Sequence, residues 1–227
     1  MPALPARVST AFSGALALVF PVWCVGCDLP DVALCAACRD ALAPRTLRRR
    51  LDGLSVHSGL AFEGVAARAL RAAKEEGRTR LLSALAPALT TAVDAALRSV
   101  GGGGAPVMLV PVPTSAAAMR RRGYRVVEIL AARAALPTRR LLTVGGSTAD
   151  QRTLGRRERA ENVSGRMHAR GAEGRRVILL DDVVTTGATL REATRALVAA
   201  GAQVVGAATV ASTPRRGSGS FLTASDA

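Results

Sequence analysis

Two carboxylates stand side by side in RRVILLDDVVTTGATLREA, residues 175–193. Asp181 and Asp182 close a run of branched aliphatics and precede Val-Val and a loop of small hydroxyl residues. In open α/β sheets ligands bind beyond the carboxyl ends of the strands, which is where these acids fall. The loop Thr185, Thr186, Gly187, Ala188, Thr189 leads into a helix-like stretch. Helix-start amides and their dipole attract a phosphate. Gly187 lets backbone approach it closely, and the threonines supply hydroxyl donors. No G-K-[ST] is present, so this is not a Walker A loop. Carboxylates would repel a bare phosphate, but a sugar between the two explains the pattern. Vicinal ribose hydroxyls donate to the acids while the 5′-phosphate reaches the loop. The bland alternative is an acidic strand end followed by a threonine-capped helix.

A second chemical cluster is CVGCDLPDVALCAAC, with Cys24, Cys27, Cys35 and Cys38. Each C-x-x-C turn can bring two sulfurs to one side, and four thiolates make a closed, structural zinc site. The gap between the pairs is shorter than in a usual zinc ribbon. Two disulfides are the competing reading and would need an oxidising compartment. In so short a segment, metal binding would supply much of the folding free energy.

The elements that must position these groups alternate. LSVHSGLAF has strand character, and the stretches at 64–77 and 79–100 carry apolar residues at helical spacing. Leu82, Leu85, Leu89, Val93 and Ala96 form one stripe. VMLVPVP is a buried strand stopped by Pro111 and Pro113; a helix is expected from about 123 to 135, and RRLLTV is a further short strand. RRVILLDDV has adjacent aliphatics, as a strand covered on both faces requires. A helix over 188–201 should turn Leu190, Ala193, Leu197 and Val198 inward, and AQVVGAATVA is the last strand. Strands alternating with helices predict an α/β fold with a mainly parallel sheet. The boundaries expected are an N-terminal helix and cysteine module over 1–43, a solvated linker over 44–53, the α/β domain over 54–212 and a disordered tail over 213–227. Residues 145–164 are polar and without period, which suits a functional lid or a disordered basic loop. His57 and His168 are isolated and are read as structural.

The chain has 227 residues, 49% hydrophobic but only 3% aromatic, so Ala, Val and Leu must build the core. Net charge is +14, almost all from arginine; Lys74 is the only lysine. That excess is either solvated surface or a surface for an anionic partner. Few aromatics argue against a base-stacking platform. No apolar run reaches the ~20 residues of a bilayer span, so no transmembrane segment is expected. ARVSTAFSGALALVFPVWC resembles a signal h-region in part, but it ends in bulky Pro21-Val22-Trp23 and runs into the cysteines. It is read as a short amphipathic helix, and the protein as cytoplasmic.

VILLDDVVTTGAT resembles the phosphoribosyl-pyrophosphate (PRPP) binding motif of type I phosphoribosyltransferases. Together with the paired C-x-x-C motifs, LVPVP, RRRGY and DQRTLGRRERAENVSG in this order, it is similar to the ComF family over roughly residues 15–212. The resemblance implies a type I phosphoribosyltransferase-like core over 54–212 with an N-terminal zinc module, and relatives are associated with DNA uptake in competent bacteria. It implies that Asp181 and Asp182 hold the ribose hydroxyls and that Thr185 to Thr189 hold the 5′-phosphate. The turn from Pro111 through Pro113, Thr114 and Ser115 would face the pyrophosphate, with Arg121 and Arg122 nearby or merely on the surface. Gln151, Arg152, Arg156, Arg159 and Asn162 would form the hood that closes over PRPP. Asp181, Asp182 and Arg152 are the residues expected to be catalytic. Lys74 lies where relatives often carry a lysine. Two departures stand out: Arg125 replaces the asparagine typical after R-G-Y, and Met167 replaces an aromatic. The implied reaction is displacement of pyrophosphate from PRPP with Mg2+. The rival classes are a non-catalytic PRPP- or nucleotide-binding adaptor contacting single-stranded DNA or competence-machinery proteins, and a zinc-dependent DNA-binding protein with a vestigial pocket. No acceptor-recognition element is identifiable.

Overall fold

Adjacent aliphatics and alanine-lined helices assemble as the alternation requires. The computed structural model describes residues 22–101, 105–145 and 165–214. Five strands, β1 (Leu47–Leu51), β2 (Leu54–Ala61), β3 (Val107–Pro111), β6 (Arg176–Val184) and β7 (Gln203–Ser212), form one sheet in the order β1-β2-β7-β6-β3. All neighbours in it run parallel except β1, which is antiparallel to β2. The mainly parallel α/β sheet expected from the sequence is therefore present. Two shorter strands, β4 (Leu142–Val144) and β5 (Met167–Ala169), pair with each other in a separate antiparallel ribbon. The helices are α1 (Ala36–Asp40), α2 (Gly64–Glu75), α3 (Leu82–Ser99), α4 (Ala116–Arg122), α5 (Val126–Arg133) and α6 (Ala188–Ala199).

Strand β6 shows why its aliphatics stand side by side. Ile178 and Leu180 join the core formed with α2, α3 and α5, while Val177 and Leu179 join the core under α6. Successive side chains point to opposite faces, and both faces are covered. Among the described residues, no aromatic is one of the largest fully buried side chains, which are Leu, Ile and Val. The stripe Leu82, Leu85, Leu89, Val93, Ala96 is buried as expected, at 0–1% exposure. Thr79–Ser99, a 3-10 turn running into α3, has the length and mean hydropathy, 1.2, to cross a bilayer. Its stripe packs under the sheet, so here it is a core helix. Gly59 of β2 sits so close to α3 that a Cβ there would lie 2.1 Å from the Ala88 carbonyl oxygen.

Three expectations are corrected. Residues 47–51, placed in a solvated linker, form β1. Leu51 pairs with Leu54 across Asp52-Gly53, whose φ values of 47° and 88° belong to a tight two-residue hairpin turn. Leu51 is buried and the arginines before it alternate with exposure, as an edge strand allows. The helix expected over 123–135 is the shorter α5, and α4, which was not expected, precedes it. Ser115 caps α4 by accepting the Ala118 amide at 3.2 Å, and Gly123, at φ 76°, ends it before α5 begins. In α6, Val198 is 55% exposed, and Glu192 is buried instead.

Candidate active site

The carboxyl ends of β3 and β6 converge on one side of the sheet. Val112 to Ser115 leave β3 and enter α4, whose last residue is Arg122. Asp181 and Asp182 lie near the end of β6, ahead of the Thr185–Thr189 turn into α6. Between them is a cavity of about 350 Å3 lined by Phe62, Lys74, Val112, Pro113, Thr114, Ser115, Ala118, Arg122, Val126, Val127, Asp181, Asp182, Val183, Thr185 and Thr189.

Asp182 is not the solvent-facing group that a strand end suggests. Its side chain is 14% exposed and accepts a hydrogen bond from Lys74 Nζ at 2.7 Å. Lys74 comes from the last turn of α2, where the Tyr124 hydroxyl donates to the neighbouring Ala73 carbonyl. Asp181 accepts the Asp182 backbone N–H at 2.8 Å. Burial, then the Asp182 charge beside it, pushes the Asp181 carboxyl up to about 7, with Lys74 opposing. The pair of acids thus faces one ammonium, in a cavity whose other cation is Arg122. The Arg122 Nε is buried with no hydrogen-bond partner among the described residues. Arg121, its expected companion, is exposed and does not line the cavity.

In the hydroxyl loop, Thr185 and Thr189 line the cavity, while Thr186, Gly187 and Ala188 do not. Thr186 Oγ1 accepts the Ala188 amide at 3.3 Å. The sequence reading gave Gly187 to phosphate approach; the structure gives it a second reason. Its φ is 82°, and a Cβ would lie 2.4 Å from Leu51 Cδ1. The expected lid residues Gln151, Arg152, Arg156, Arg159 and Asn162 lie outside the described residues.

The two departures from the family pattern have local partners. Arg125 donates to Glu128 Oε1 at 3.2 Å, and Arg140 to the other oxygen of that carboxylate. Met167 is buried, and its backbone is held on both sides: its N–H donates to Glu192 Oε1 at 2.9 Å and its carbonyl accepts from Arg195 Nη2 at 3.0 Å. Arg195 pulls the Glu192 carboxyl down to about 2. Sequence reading missed this pair, although a Glu and an Arg three positions apart on a helix was the available signal. It also missed the apolar wall of Phe62, Val126 and Val127. His57 is buried on β2, and burial, then Arg48 and Arg98, holds its imidazole below the usual range. His168 is exposed on β5.

The four cysteines form the second candidate centre. Their sulfurs all lie within 4.8 Å of one another and none is in a disulfide. Cys27 and Cys35 Sγ are 3.6 Å apart, far beyond a bond but near the roughly 3.8 Å edge of a tetrahedron built from zinc–sulfur bonds of about 2.3 Å. The Cys35 amide donates to Cys24 Sγ at 3.3 Å and helps pull that thiol down to about 6. Burial, with the neighbouring thiols, pushes Cys38 up to about 12. Four thiolates cannot ionise together without a cation among them, and the donor set suits one zinc ion. Gly26 is required here, because a Cβ would lie 2.5 Å from Cys38 Sγ. The module docks on α2 and the turn after it: Arg68 of α2 donates to the Gly26 carbonyl at 3.0 Å, and Arg78 of the turn to those of Trp23 and Ala33 at 2.9 and 3.1 Å. Val25, Leu34 and Leu42 enter the same core as α2 and α3.

No curated protein matches the sequence. Among solved structures, the chain is similar to one described as the structure of the allosteric regulatory enzyme of purine biosynthesis, at 19% identity and a TM-score of 0.31, over 71% of this chain and 27% of that one. The chain thus spans well under half of that protein's length. The family described as the phosphoribosyl transferase domain matches residues 87–220, a span that runs from within α3 past β7 and takes in the β3 turn, Arg122, both aspartates and the hydroxyl loop. On that match, which covers more than half of the sequence, the chain belongs to the phosphoribosyl transferase domain family.

Proposed function

We propose that the protein binds PRPP in the cavity at the ends of β3 and β6 and transfers its phosphoribosyl group, releasing pyrophosphate. The observation that carries this reading is the convergence, on one cavity, of two acids, two hydroxyl-bearing turns and two cations from separate stretches of chain: Asp181 and Asp182, Thr185 and Thr189, Thr114 and Ser115, Lys74 and Arg122. The acids accept hydrogen bonds from the vicinal ribose hydroxyls and fix the ring. The Thr185–Thr189 turn takes the 5′-phosphate. Arg122 and Lys74 draw charge from the departing pyrophosphate as the bond to the anomeric carbon breaks, and fixed donors of this kind cost no reorganisation during the reaction. Magnesium, when bound with PRPP, would supply charge neutralisation to the pyrophosphate. Cys24, Cys27, Cys35 and Cys38 hold a structural zinc.

Within the phosphoribosyl transferase domain family, we place the chain in the ComF group, in the cytoplasm, with a role in handling incoming DNA. The ordered motifs and the +14 charge support that placement. Calorimetric titration with PRPP and magnesium tests the site: saturable binding that Asp182→Asn abolishes, with the fold retained by circular dichroism, is expected, and absence of binding by the wild type overturns the reading. Pyrophosphate release is then assayed with nucleobases, glutamine and ammonia as acceptors. Release makes it a transferase; binding without release makes it a PRPP-responsive adaptor. Salt-dependent retention of single-stranded DNA tests the DNA role.

A further inference from the structure

The hydroxyl loop is held from behind by residues that the site itself does not contain. Arg49 of β1 donates from Nη1 to the Thr185 carbonyl at 2.9 Å. Arg191, one turn into α6, donates from Nη1 to the Thr186 carbonyl at 3.0 Å. The Arg191 guanidinium is itself fixed by Asp52 of the hairpin turn, Nε to Oδ2 at 2.5 Å. Leu51, 4% exposed, lies directly against Gly187. Consecutive carbonyls of the loop are thus pinned by two cationic donors, one from the β1–β2 hairpin and one braced by it.

Peptide geometry gives this a consequence. In a planar trans peptide the carbonyl of one residue and the N–H of the next point in opposite directions. Holding the Thr185 and Thr186 carbonyls toward the hairpin therefore turns the N–H groups of Thr186 and Gly187 to the other side of the loop. A pair of successive N–H groups aimed the same way is an anion-binding concavity. Positive φ at Gly187 is part of the same turn. We infer that Arg49 and Arg191 are positioning residues which, through the β1–β2 hairpin, preset the amides of the Thr185–Thr189 loop for a phosphomonoester. This rests on the proposed reading of that loop as the 5′-phosphate site.

The prediction is selective for one end of the ligand. Hydrogen bonds to charged groups carry enough energy for a change of about tenfold. Arg49→Gln and Arg191→Gln are each expected to weaken ribose 5-phosphate and PRPP by about tenfold in calorimetric titration, and to leave inorganic pyrophosphate with magnesium unchanged. Arg49→Lys, which keeps a cationic donor, substitutes if the glutamine variant does not fold and is expected to retain most of the affinity. Equal affinity of wild type and both glutamine variants for ribose 5-phosphate overturns the inference, as does an equal loss for pyrophosphate. Asp182→Asn separates the two levels. If it abolishes PRPP binding while the arginine variants change nothing, the clamp fails and the site stands. If the wild type binds neither ribose 5-phosphate nor PRPP, both fail.

Discussion

Cys24, Cys27, Cys35 and Cys38 come from one short stretch and bring their sulfurs within 4.8 Å of one another, whereas Lys74 and Asp182 are 108 positions apart and meet at 2.7 Å. The first cluster is arranged by local turns, a glycine and a backbone amide, and among the described residues its four thiols have no cationic hydrogen-bond partner. The second is arranged by sheet order and helix docking, and it carries its own ammonium. The difference teaches which site depends on something outside the chain. Without a cation the cysteines are groups that cannot ionise together; the cavity, by contrast, holds an ion pair of its own. The two are also joined, because the module that the cysteines organise grips α2, the helix that delivers Lys74.

Metal removal is the strongest way to break the comparison. Structural zinc contributes on the order of 10 kcal/mol to such modules. Chelation, or Cys38→Ser, is expected to abolish hydrogen-exchange protection over residues 24–42, with metal content falling in step. Unchanged protection would place the cysteine module on the self-sufficient side with the cavity.

Next in size is the pH dependence of the aspartate pair. Asp181 is raised from 3.8 to about 7 in the folded state, so the folded chain holds a proton that the unfolded chain releases. Stability from this source is present below pH 3.8 and is lost as pH rises toward 7. Asp181→Asn is therefore expected to gain on the wild type as pH rises, by on the order of a few kcal/mol at pH 8, read from melting curves at several pH values. Lys74→Met should cost roughly 1–3 kcal/mol by leaving Asp182 without its donor. A double-mutant cycle with Asp182→Asn measures the coupling, and a coupling near zero would show the pair to be incidental. The smallest effect expected is that of Glu192→Gln, roughly 1–2 kcal/mol near neutral pH. Glu192 is lowered from 4.5 to about 2, so its contribution is present above 4.5 and fades as pH falls toward 2. The gap between wild type and variant should close in acid.

Much of this was legible in the sequence because some signals are local. The cysteine spacing, the aliphatic run of β6 and the leucine stripe of α3 each carry their own period. The two aspartates and the hydroxyl loop were legible for the same reason. Other features depend on partners far along the chain. Three consecutive arginines looked like a solvated run, yet β1 is an edge strand, where charged side chains are tolerated and Leu51 alone needs cover. Asp52-Gly53 was the signal that could have shown it. Val198, expected inside, lies outside, and Glu192 is buried because Arg195 and the Met167 amide satisfy its carboxylate, a compensation that helical periodicity cannot register. The Lys74–Asp182 contact needed the docking of α2 on the sheet.

Lys74 carries the only ε-amine in the chain, and that amine lines the cavity with Asp182 beside it. Amine-directed acylation therefore has one side-chain target, apart from the terminal α-amine. Its reaction rate becomes a built-in reporter of occupancy, with no engineered label. The same fact means that a single acyl transfer would erase the cavity's one ammonium.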